Sequence, residues 1–459
     1  MQALVYQVLI AFLRLVTRNF FRTIEVVGRD HVPASGPVIF VGNHPNSLVD
    51  PVVISTTCGR RVSFAARDGL FAAPGLRLVL WALGSVPIKR RQDQKEGTAA
   101  VDNADAFAAL HAVLRRGGAF GIFPEGVSYT EAELQPLKTG AARIALSARA
   151  EGIPVVIVPV GLSYRQRDRF RGRVLVQFGR PLSIDAGASD DREAARALTA
   201  RIELALRALT LNAPDFETLR TLDAIRRLYV PAERTLSLGE EAEVTRRLIA
   251  HYQDKRDLPE VAALYADVAA YVSLLDALDL SDWDLRRAVS RGAWTLRVVR
   301  HALRLVLDVP LALPGLVLHL PVLWGATRAG EMVLERDDVR ATLRMMVATL
   351  SVIVIEGALG VVVFARDPTP RGAVIAVLAV LALWWSGELA IRVLDKQALF
   401  FHGLAVLTRI LALRGEVDAL RRERDALRER LVALVEAHAD PAMDRIVSDE
   451  ELRAPTSRR

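Results

Sequence analysis

His44 and Asp50 stand six positions apart in GNHPNSLVDPVV, residues 42–53, directly after the apolar run PVIFV. A carboxylate hydrogen-bonded to one imidazole nitrogen fixes the tautomer and makes the other nitrogen more basic. That nitrogen can then take a proton from a substrate hydroxyl. The two side chains can form such a dyad if the turn between them is tight. PVIFV reads as a buried strand, and Asn46 or Ser47 as the N-cap of a helix that follows. A histidine and an aspartate at this spacing arise by chance in many chains, so the pair gains meaning only from its company.

Three further stretches share its character. GSVPIKRR, residues 84–91, is a short extended run ending in Lys89, Arg90 and Arg91, and cations at a strand end suit an anion such as phosphate. FPEGVS, residues 123–128, places Glu125, Gly126 and Ser128 in a turn after the run AFGIF, and PLKTGAARIAL then sets Lys138 at a helix start. VVIVPVGLSY is a buried strand whose Pro159 stops the ladder. Four strand ends with polar residues at their tips describe one active-site edge of an α/β sheet.

The elements that must position these residues run from Thr23 to about Leu211. Candidate strands are IEVV, PVIFV, VSFAA, VPI, AFGIF, VVIVPV and RVLVQF. Amphipathic stretches at 98–116 and 137–150 lie between them, and GRPLSI with the helix 189–211 closes the domain. Strands separated by helices predict an α/β domain with a largely buried sheet.

The whole chain has 459 residues, too many for one compact core. Half its residues are apolar and its mean hydropathy is positive, which points to a membrane-embedded part. The charge balance is +7. With long apolar runs and no nucleic-acid motif, that basic surface suits an anionic bilayer rather than nucleic acid. Residues 1–22 contain an apolar stretch with Gln7 and Arg14 inside it and Arg18 and Arg22 after it. That order fits a helix lying on a membrane or packing on the domain better than a cleaved signal.

Residues 212–300 read as a helical linker domain, broken at Pro231, Pro259 and the GEEAEV segment. Residues 301–398 read as a membrane domain. Within it, 309–327 carries Pro310, Pro314 and Pro321 and is expected to be kinked or re-entrant. Residues 345–365 and 372–391 each supply roughly the 20 helical residues that cover a ~30 Å hydrocarbon core, and form a transmembrane hairpin. Arg328, Arg336, Arg340 and Arg344 flank it on one side and Arg392, Lys396, Arg409 and Arg414 on the other. The positive-inside rule puts both flanks, and with them the α/β domain, on the cytoplasmic face of the inner membrane. Residues 399–437 read as one long helix with Leu420, Leu427 and Leu434 at heptad spacing, interrupted by Arg424. It serves either a homodimer zipper or packing on its own chain. The tail 438–459 is polar and expected to be disordered.

Other chemistries find no support. Cys58 is the single cysteine, so neither an intrachain disulfide nor a cysteine-based metal site is available. No metal-ligand cluster, phosphate loop, dinucleotide fingerprint or nucleophile elbow occurs. His31 and His111 have no partner at useful spacing and read as structural. Glu356 and Glu388 lie inside apolar spans, where carboxylates are functional candidates by default.

The ordered blocks NHPNSLVD, GSVPIKR, FPEGVS and VVIVPVG resemble the four motifs of the glycerolipid (PlsC-like) acyltransferase family. That family's first block is usually His-x4-Asp, whereas five residues separate His44 from Asp50. The longer spacing resembles the fungal glycerol-3-phosphate/dihydroxyacetone-phosphate acyltransferase subfamily, and RRLYVPAERTLSL and LPGLVLHLP extend that likeness beyond the first domain. The resemblance implies a mixed-sheet acyltransferase domain with flanking helices. His44 would be the general base on the acceptor hydroxyl, oriented by Asp50, with direct attack on an acyl thioester and no cofactor. Arg90 would bind the acceptor phosphate, Glu125 and Gly126 would shape the acceptor pocket with Ser128 nearby, and Pro159 would lie on the acyl-donor side. Lys89, Arg91 and Lys138 are added from charge and proximity in sequence, with a plain surface cation as the alternative at each. The third block lacks the arginine often found after its glycine. Glycerol 3-phosphate is the first acceptor implied and lysophosphatidate the second, with acyl-CoA or acyl carrier protein as donor. The rival reading is a catalytically silent lipid-binding scaffold, which intact His44, Asp50 and FPEG argue against.

Overall fold

The computed structural model describes residues 2–89, 104–167, 169–185, 192–231, 234–286, 291–333 and 337–437. Arg90, Arg91, residues 98–103 of the helix expected over 98–116, and the tail 438–459 lie outside them. The chain divides into two compact units, Met1–Asp215 with Leu334–Thr342 and Phe216–Val333 with Leu343–Arg459.

The first unit begins with helix α1 (Gln2–Phe20) and strands β1 (Thr23–Val27) and β2 (Val38–Gly42). Next come α2 (Val49–Thr57), β3 (Val62–Arg67), α3 (Pro74–Ala82) and β4 (Val86–Ile88). It continues through α4 (Ala104–Arg115), β5 (Ala119–Ile122), α5 (Gly140–Ala150), β6 (Val156–Arg165), β7 (Arg173–Phe178), β8 (Leu182–Ser183) and α6 (Arg192–Arg207). All seven strands read in the sequence form, and β8 comes from GRPLSI. They make one mixed sheet in the order β1-β7-β6-β2-β5-β3-β4, with β8 on β6. Every pairing is parallel except those of β6 with β7 and β8.

β2 is buried at every residue. Central parallel strands are covered on both faces, which is why PVIFV is continuously apolar rather than alternating. One face of the sheet packs Ile39, Val41, Phe120 and Ile157 against Leu110 and Leu114 of α4, Ile144 of α5, and Ile202 and Leu206 of α6. Pro159 does not end its strand: β6 runs through it to Arg165. On one side β6 changes partner between Ile157, opposite β8, and Val160, opposite β7. Pro159 falls at that switch, where its missing N–H breaks no rung on that side.

α1 packs on the domain through Tyr6, Ile10 and Phe20, which are buried. The Tyr6 hydroxyl accepts the Val62 N–H at 3.3 Å, and Arg14 Nε donates to the Thr56 carbonyl at 3.2 Å. Its other side leaves Leu4, Val5 and Val8 exposed. The helix therefore satisfies the packing expectation and still presents an apolar strip.

The second unit is helical: α7 (Phe216–Tyr229), α8 (Leu238–Lys255), α9 (Pro259–Ala277), α10 (Asp282–Arg286), α11 (Arg291–Val333), most of α12 (Asp337–Arg366), α13 (Pro370–Ala412) and α14 (Arg414–Ala437). GEEAEV, read as a break, instead lies within the first two turns of α8. A capping box, Ser237 with Glu240, starts the helix there. The single helix expected over 399–437 is two, because Leu413 leaves the helical region at φ −109°, ψ 39° and its first part continues α13.

The leucine seam of α14 packs within its own chain, the second of the two roles expected for it. Leu420, Leu427 and Leu431 are buried, and α14 packs on α7 and α9. Arg424, the interruption in that seam, is buried as well, and its Nε donates to Asp282 Oδ1 at 2.8 Å. Asp282 also accepts from the Tyr271 hydroxyl at 3.0 Å and from Arg286 Nε at 2.8 Å. Arg424→Ala removes one of the two guanidinium groups that neutralise Asp282, and Arg286 remains. It should destabilise the docking of α14 by about 1–3 kcal/mol, the range for a lost hydrogen bond to a charged group, read as faster amide exchange across Arg414–Ala437. Unchanged exchange would show that the pair contributes nothing to docking.

Among the described residues, three helical stretches are long and apolar enough to cross a membrane: Val298–Arg328, Arg340–Arg366 and Pro370–Ala412. Thr369 caps α13 by accepting the Gly372 N–H at 3.3 Å, with Pro370 in the first turn. The prolines of 309–327, read as kinking or re-entrant, lie inside the single helix α11. One side chain supplies the physical reason. The Gly315 N–H donates to Ser386 Oγ at 2.9 Å, and the Ser386 hydroxyl donates to the Leu311 carbonyl at 2.8 Å. A serine of α13 thus bridges one open rung of the proline-weakened ladder. A side chain on Gly315 would collide with the Ser386–Gly387 backbone, so only glycine permits this approach. Glu356 is buried beside His319, with Oε1 3.7 Å from Nε2. Glu388 is half-buried.

Candidate active site

His44 follows the last residue of β2 by two positions. Its neighbour Asn43 prolongs the ladder by side chain: Nδ2 donates to the Leu162 carbonyl at 3.0 Å and Oδ1 accepts the Leu162 N–H at 2.7 Å. The main chain is therefore held against β6 while it turns into the loop. Neither Asn46 nor Ser47 caps α2. Leu48 holds the cap position without a side-chain bond, because the turn spends those residues elsewhere. Ser47 sits at φ +43°, in the left-handed region that few residues other than glycine adopt. This one strained residue folds the five-residue spacing into a tight loop and brings Asp50, in the first turn of α2, back to the imidazole.

The dyad forms. His44 Nδ1 lies 2.8 Å from Asp50 Oδ2. That oxygen also accepts the Asn46 N–H at 2.7 Å, and Oδ1 accepts the Tyr164 hydroxyl at 2.7 Å. Three donors converge on a carboxylate that is completely buried, so all its described partners treat it as an acceptor. An acceptor-only carboxylate requires His44 to carry its proton on Nδ1. Nε2 is left as the acceptor, and no group among the described residues is bonded to it. The imidazole stacks on Phe123 with ring centroids 4.0 Å apart and planes 5° from parallel.

FPEG makes a turn closed by the Gly126 N–H donating to the Phe123 carbonyl at 3.1 Å, with Pro124 at its second position and Gly126 at φ +75°. Glu125 is buried beneath His44 and accepts the His44 backbone N–H on Oε2 at 2.9 Å. Burial pushes its carboxyl up from 4.5 to about 8, against the downward pull of the Tyr129 hydroxyl and the His44 N–H. At neutral pH Glu125 is a neutral acid. Its folded pKa is raised, so the stability it contributes is complete below about 4.5 and is lost as pH rises through about 8. The thermal midpoint should fall across that window, and Glu125→Gln should flatten the fall. An equal slope in both proteins would assign it to other groups.

The remaining residues read from the sequence fall as follows. Ser128 is half-buried in the turn after Gly126, and Lys89 is exposed directly after β4. Lys138 precedes α5 by two residues, and its side chain occupies the space a Cβ on Gly126 would take. Pro159 stands opposite Val41 in the β2–β6 register, toward the same edge. His31 is structural, its Nδ1–H donating to the Phe178 carbonyl at 2.8 Å, and His111 lies 3.2 Å from Glu151.

Asn43 and Tyr164 were not legible as site residues. The signal for Tyr164 is that β6 extends five residues past its pairing with β2, so the LSY that ends its apolar run projects over the His44 loop. Tyr164→Phe leaves a buried carboxylate oxygen without its donor, a loss of about 1–3 kcal/mol. It should lower the thermal midpoint and cut turnover about tenfold. Full activity with unchanged stability would remove Tyr164 from the dyad's support.

Residues 23–163 match the Acyltransferase family model, and residues 221–443 match the Glycerol-3-phosphate acyltransferase 2 C-terminal domain. Glycerol-3-phosphate O-acyltransferase 2 of Saccharomyces cerevisiae is 33% identical over 48% of this chain and 31% of its own. Glycerol-3-phosphate O-acyltransferase 1 of the same yeast is 26% identical over 73% of this chain and 57% of its own. An acyltransferase of Schizosaccharomyces pombe is 26% identical over 75% of this chain and 66% of its own. The chain thus spans between about a third and about two thirds of the length of these relatives. The chain carries an acyltransferase domain of the PlsC-like kind over residues 23–163, followed by a C-terminal domain of the glycerol-3-phosphate acyltransferase 2 type over residues 221–443.

Proposed function

We propose that the protein is a membrane-bound O-acyltransferase that moves a fatty acyl group from a thioester to glycerol 3-phosphate. The observation that carries this reading is the His44–Asp50 dyad, whose Nε2 bonds no described residue, at the sheet edge beside the FPEG turn. Nε2 takes the proton of the acceptor hydroxyl as the oxygen attacks the thioester carbonyl. The C–S bond breaks, the new ester forms, and the imidazolium returns its proton to the departing thiolate. Asp50 stabilises the imidazolium that forms between these steps. The acyl group passes directly, so no acyl-enzyme is required. Acyl-CoA is the donor, with acyl carrier protein as the alternative, and no resident cofactor or metal takes part.

The acceptor assignment rests on the yeast relatives, which are named for glycerol 3-phosphate, and on the matched C-terminal domain. A lipid product and an acyl donor both favour a bilayer setting. The apolar stretches of α11–α13 supply permanent attachment, and the exposed strip on α1 lets that helix lie on the surface. Arginine-rich flanks support a hairpin whose two ends, with the catalytic domain, face the cytoplasmic side of the inner membrane. Arg90 remains the second-block candidate for the acceptor phosphate, and Pro159 for the donor side.

Membranes containing the protein, offered glycerol 3-phosphate, dihydroxyacetone phosphate and lysophosphatidate in competition with acyl-CoA or acyl carrier protein donors, test this assignment. Glycerol 3-phosphate should have the highest kcat/KM. A preference for lysophosphatidate would make the protein the enzyme of the second acylation, and lysolipid binding without turnover would leave a scaffold.

A further inference from the structure

The Glu125–Tyr129 turn carries no arginine of its own, since Val127, Ser128 and Tyr129 follow its glycine. The fold brings one from 38 residues away. Arg167, at the tip of the β6–β7 hairpin, donates from Nη1 to the Tyr129 carbonyl at 3.4 Å. Its own carbonyl accepts from Asn46 Nδ2 at 3.2 Å, and the Tyr129 N–H donates to the His44 carbonyl at 3.2 Å. Arg167 is thus tied to both loops, its guanidinium to the one that carries Glu125 and its backbone to the one that carries the base.

The tip that carries it is built rather than loose. Gln166 and Arg171 both take positive φ, at 57° and 67°. The Arg171 N–H donates to the Phe20 carbonyl at 2.7 Å, the Arg22 N–H donates to the Gly172 carbonyl at 2.8 Å, and the Phe170 ring meets Phe20 edge-on. The end of α1 therefore anchors one side of the tip, and Asn46 the other. Arg167 is half-buried, and among the described residues no carboxylate pairs with it. A second cation sits at the other end of the same turn. Lys138 lies against Gly126, its backbone N–H donates to the Pro124 carbonyl at 2.8 Å, and no carboxylate among the described residues pairs with it. Two cations beside one turn, without acids to neutralise them, fit a dianion, and the guanidinium fork matches phosphate geometry.

We propose that Arg167, with Lys138, binds the phosphate of the acceptor and so selects phosphorylated acceptors; this rests on the acyltransferase reading above. Arg167 supplies from the β6–β7 hairpin the cation that the third motif lacks. The α1 terminus, by holding the hairpin tip, acts on acceptor affinity through it.

Steady-state kinetics of the full chain in detergent test this with Arg167→Gln, Arg167→Lys and Lys138→Gln. Arg169→Gln, at an exposed position on the same tip, is the control. Losing a charged hydrogen-bond donor should raise the KM for glycerol 3-phosphate about 10- to 100-fold in Arg167→Gln, less in Arg167→Lys and Lys138→Gln. The KM for acyl-CoA, kcat at saturating acceptor and the thermal midpoint should hold, and competitive inhibition by inorganic phosphate should weaken in step. The control should match the wild type. A merely structural role would move the midpoint and kcat instead. An unchanged acceptor KM in Arg167→Gln, or an equal rise in the Arg169 control, would overturn the proposal while the acyltransferase reading stands. A wild type that acylates no glycerol phosphate would overturn both.

Discussion

Replacing His44 by alanine should lower kcat by about three orders of magnitude, within the range that general-base catalysis supplies. The protein should still fold. The loop is held by backbone bonds that alanine keeps, the His44 N–H to Glu125 and the Tyr129 N–H to the His44 carbonyl. The lost ring stacks on Phe123 and is partly exposed, so its removal opens no sealed cavity. KM for the acyl donor should change little, because the ring acts on the acceptor. Turnover within tenfold of wild type, measured as released thiol, would remove His44 from the role of base.

Asp50→Asn should be nearly as severe and for a different reason. The carboxylate accepts from three donors, His44 Nδ1–H, the Asn46 N–H and the Tyr164 hydroxyl. An amide nitrogen in place of either oxygen meets a donor with a donor. If it faces His44, the imidazole is driven to the other tautomer, with its proton on Nε2, and no longer accepts a proton there. Loss of the correct tautomer in a comparable histidine–aspartate pair costs about 10⁴ in turnover, and a drop of about 10³ to 10⁴ is expected here. The same mismatch strands buried donors, so the midpoint should fall as well. Imidazole nitrogen shifts read the tautomer directly: Nδ1 protonated in the wild type, Nε2 protonated in the variant. Retention of the wild-type tautomer with lost activity would assign Asp50 an electrostatic role instead.

Much of the catalytic edge can be read in the sequence because its signals are local. Each strand is a short β-branched run, and each candidate residue lies within a few positions of a strand end. His44, Asp50, Glu125, Gly126 and Lys138 come together on that basis. What supports them does not, because the partners are distant in sequence. Tyr164 reaches Asp50 across 114 positions, Asn43 reaches Leu162 across 119, and Asn46 reaches Arg167 across 121. The helix cap was misassigned at Asn46 and Ser47 because the loop uses them to close the dyad, and a strained φ has no sequence signature at serine. In the second unit, prolines predict a disrupted helix from local rules, whereas a serine 71 residues on bridges the weakened ladder. The leucine seam of α14 correctly identifies an apolar face, but only the buried Arg424–Asp282 pair reveals that its partner is the same chain.

The position of Arg167 shows how this fold can change acceptor recognition without touching the dyad. The backbone of the β6–β7 tip is anchored by the end of α1 and by the His44 loop, which holds a cation there near the base. The hairpin can supply the charge that the turn omits, which leaves Val127, Ser128 and Tyr129 free of that role.

Labelled acyl-CoA followed with the purified full chain, with and without glycerol 3-phosphate, separates direct transfer from transfer through an acyl-enzyme. Direct transfer predicts almost no thiol release without acceptor, no label on the denatured protein, and lysophosphatidate in equal amount to released thiol once glycerol 3-phosphate is added. Label retained on the protein, or thiol release matched by free fatty acid rather than lysophosphatidate, would contradict it.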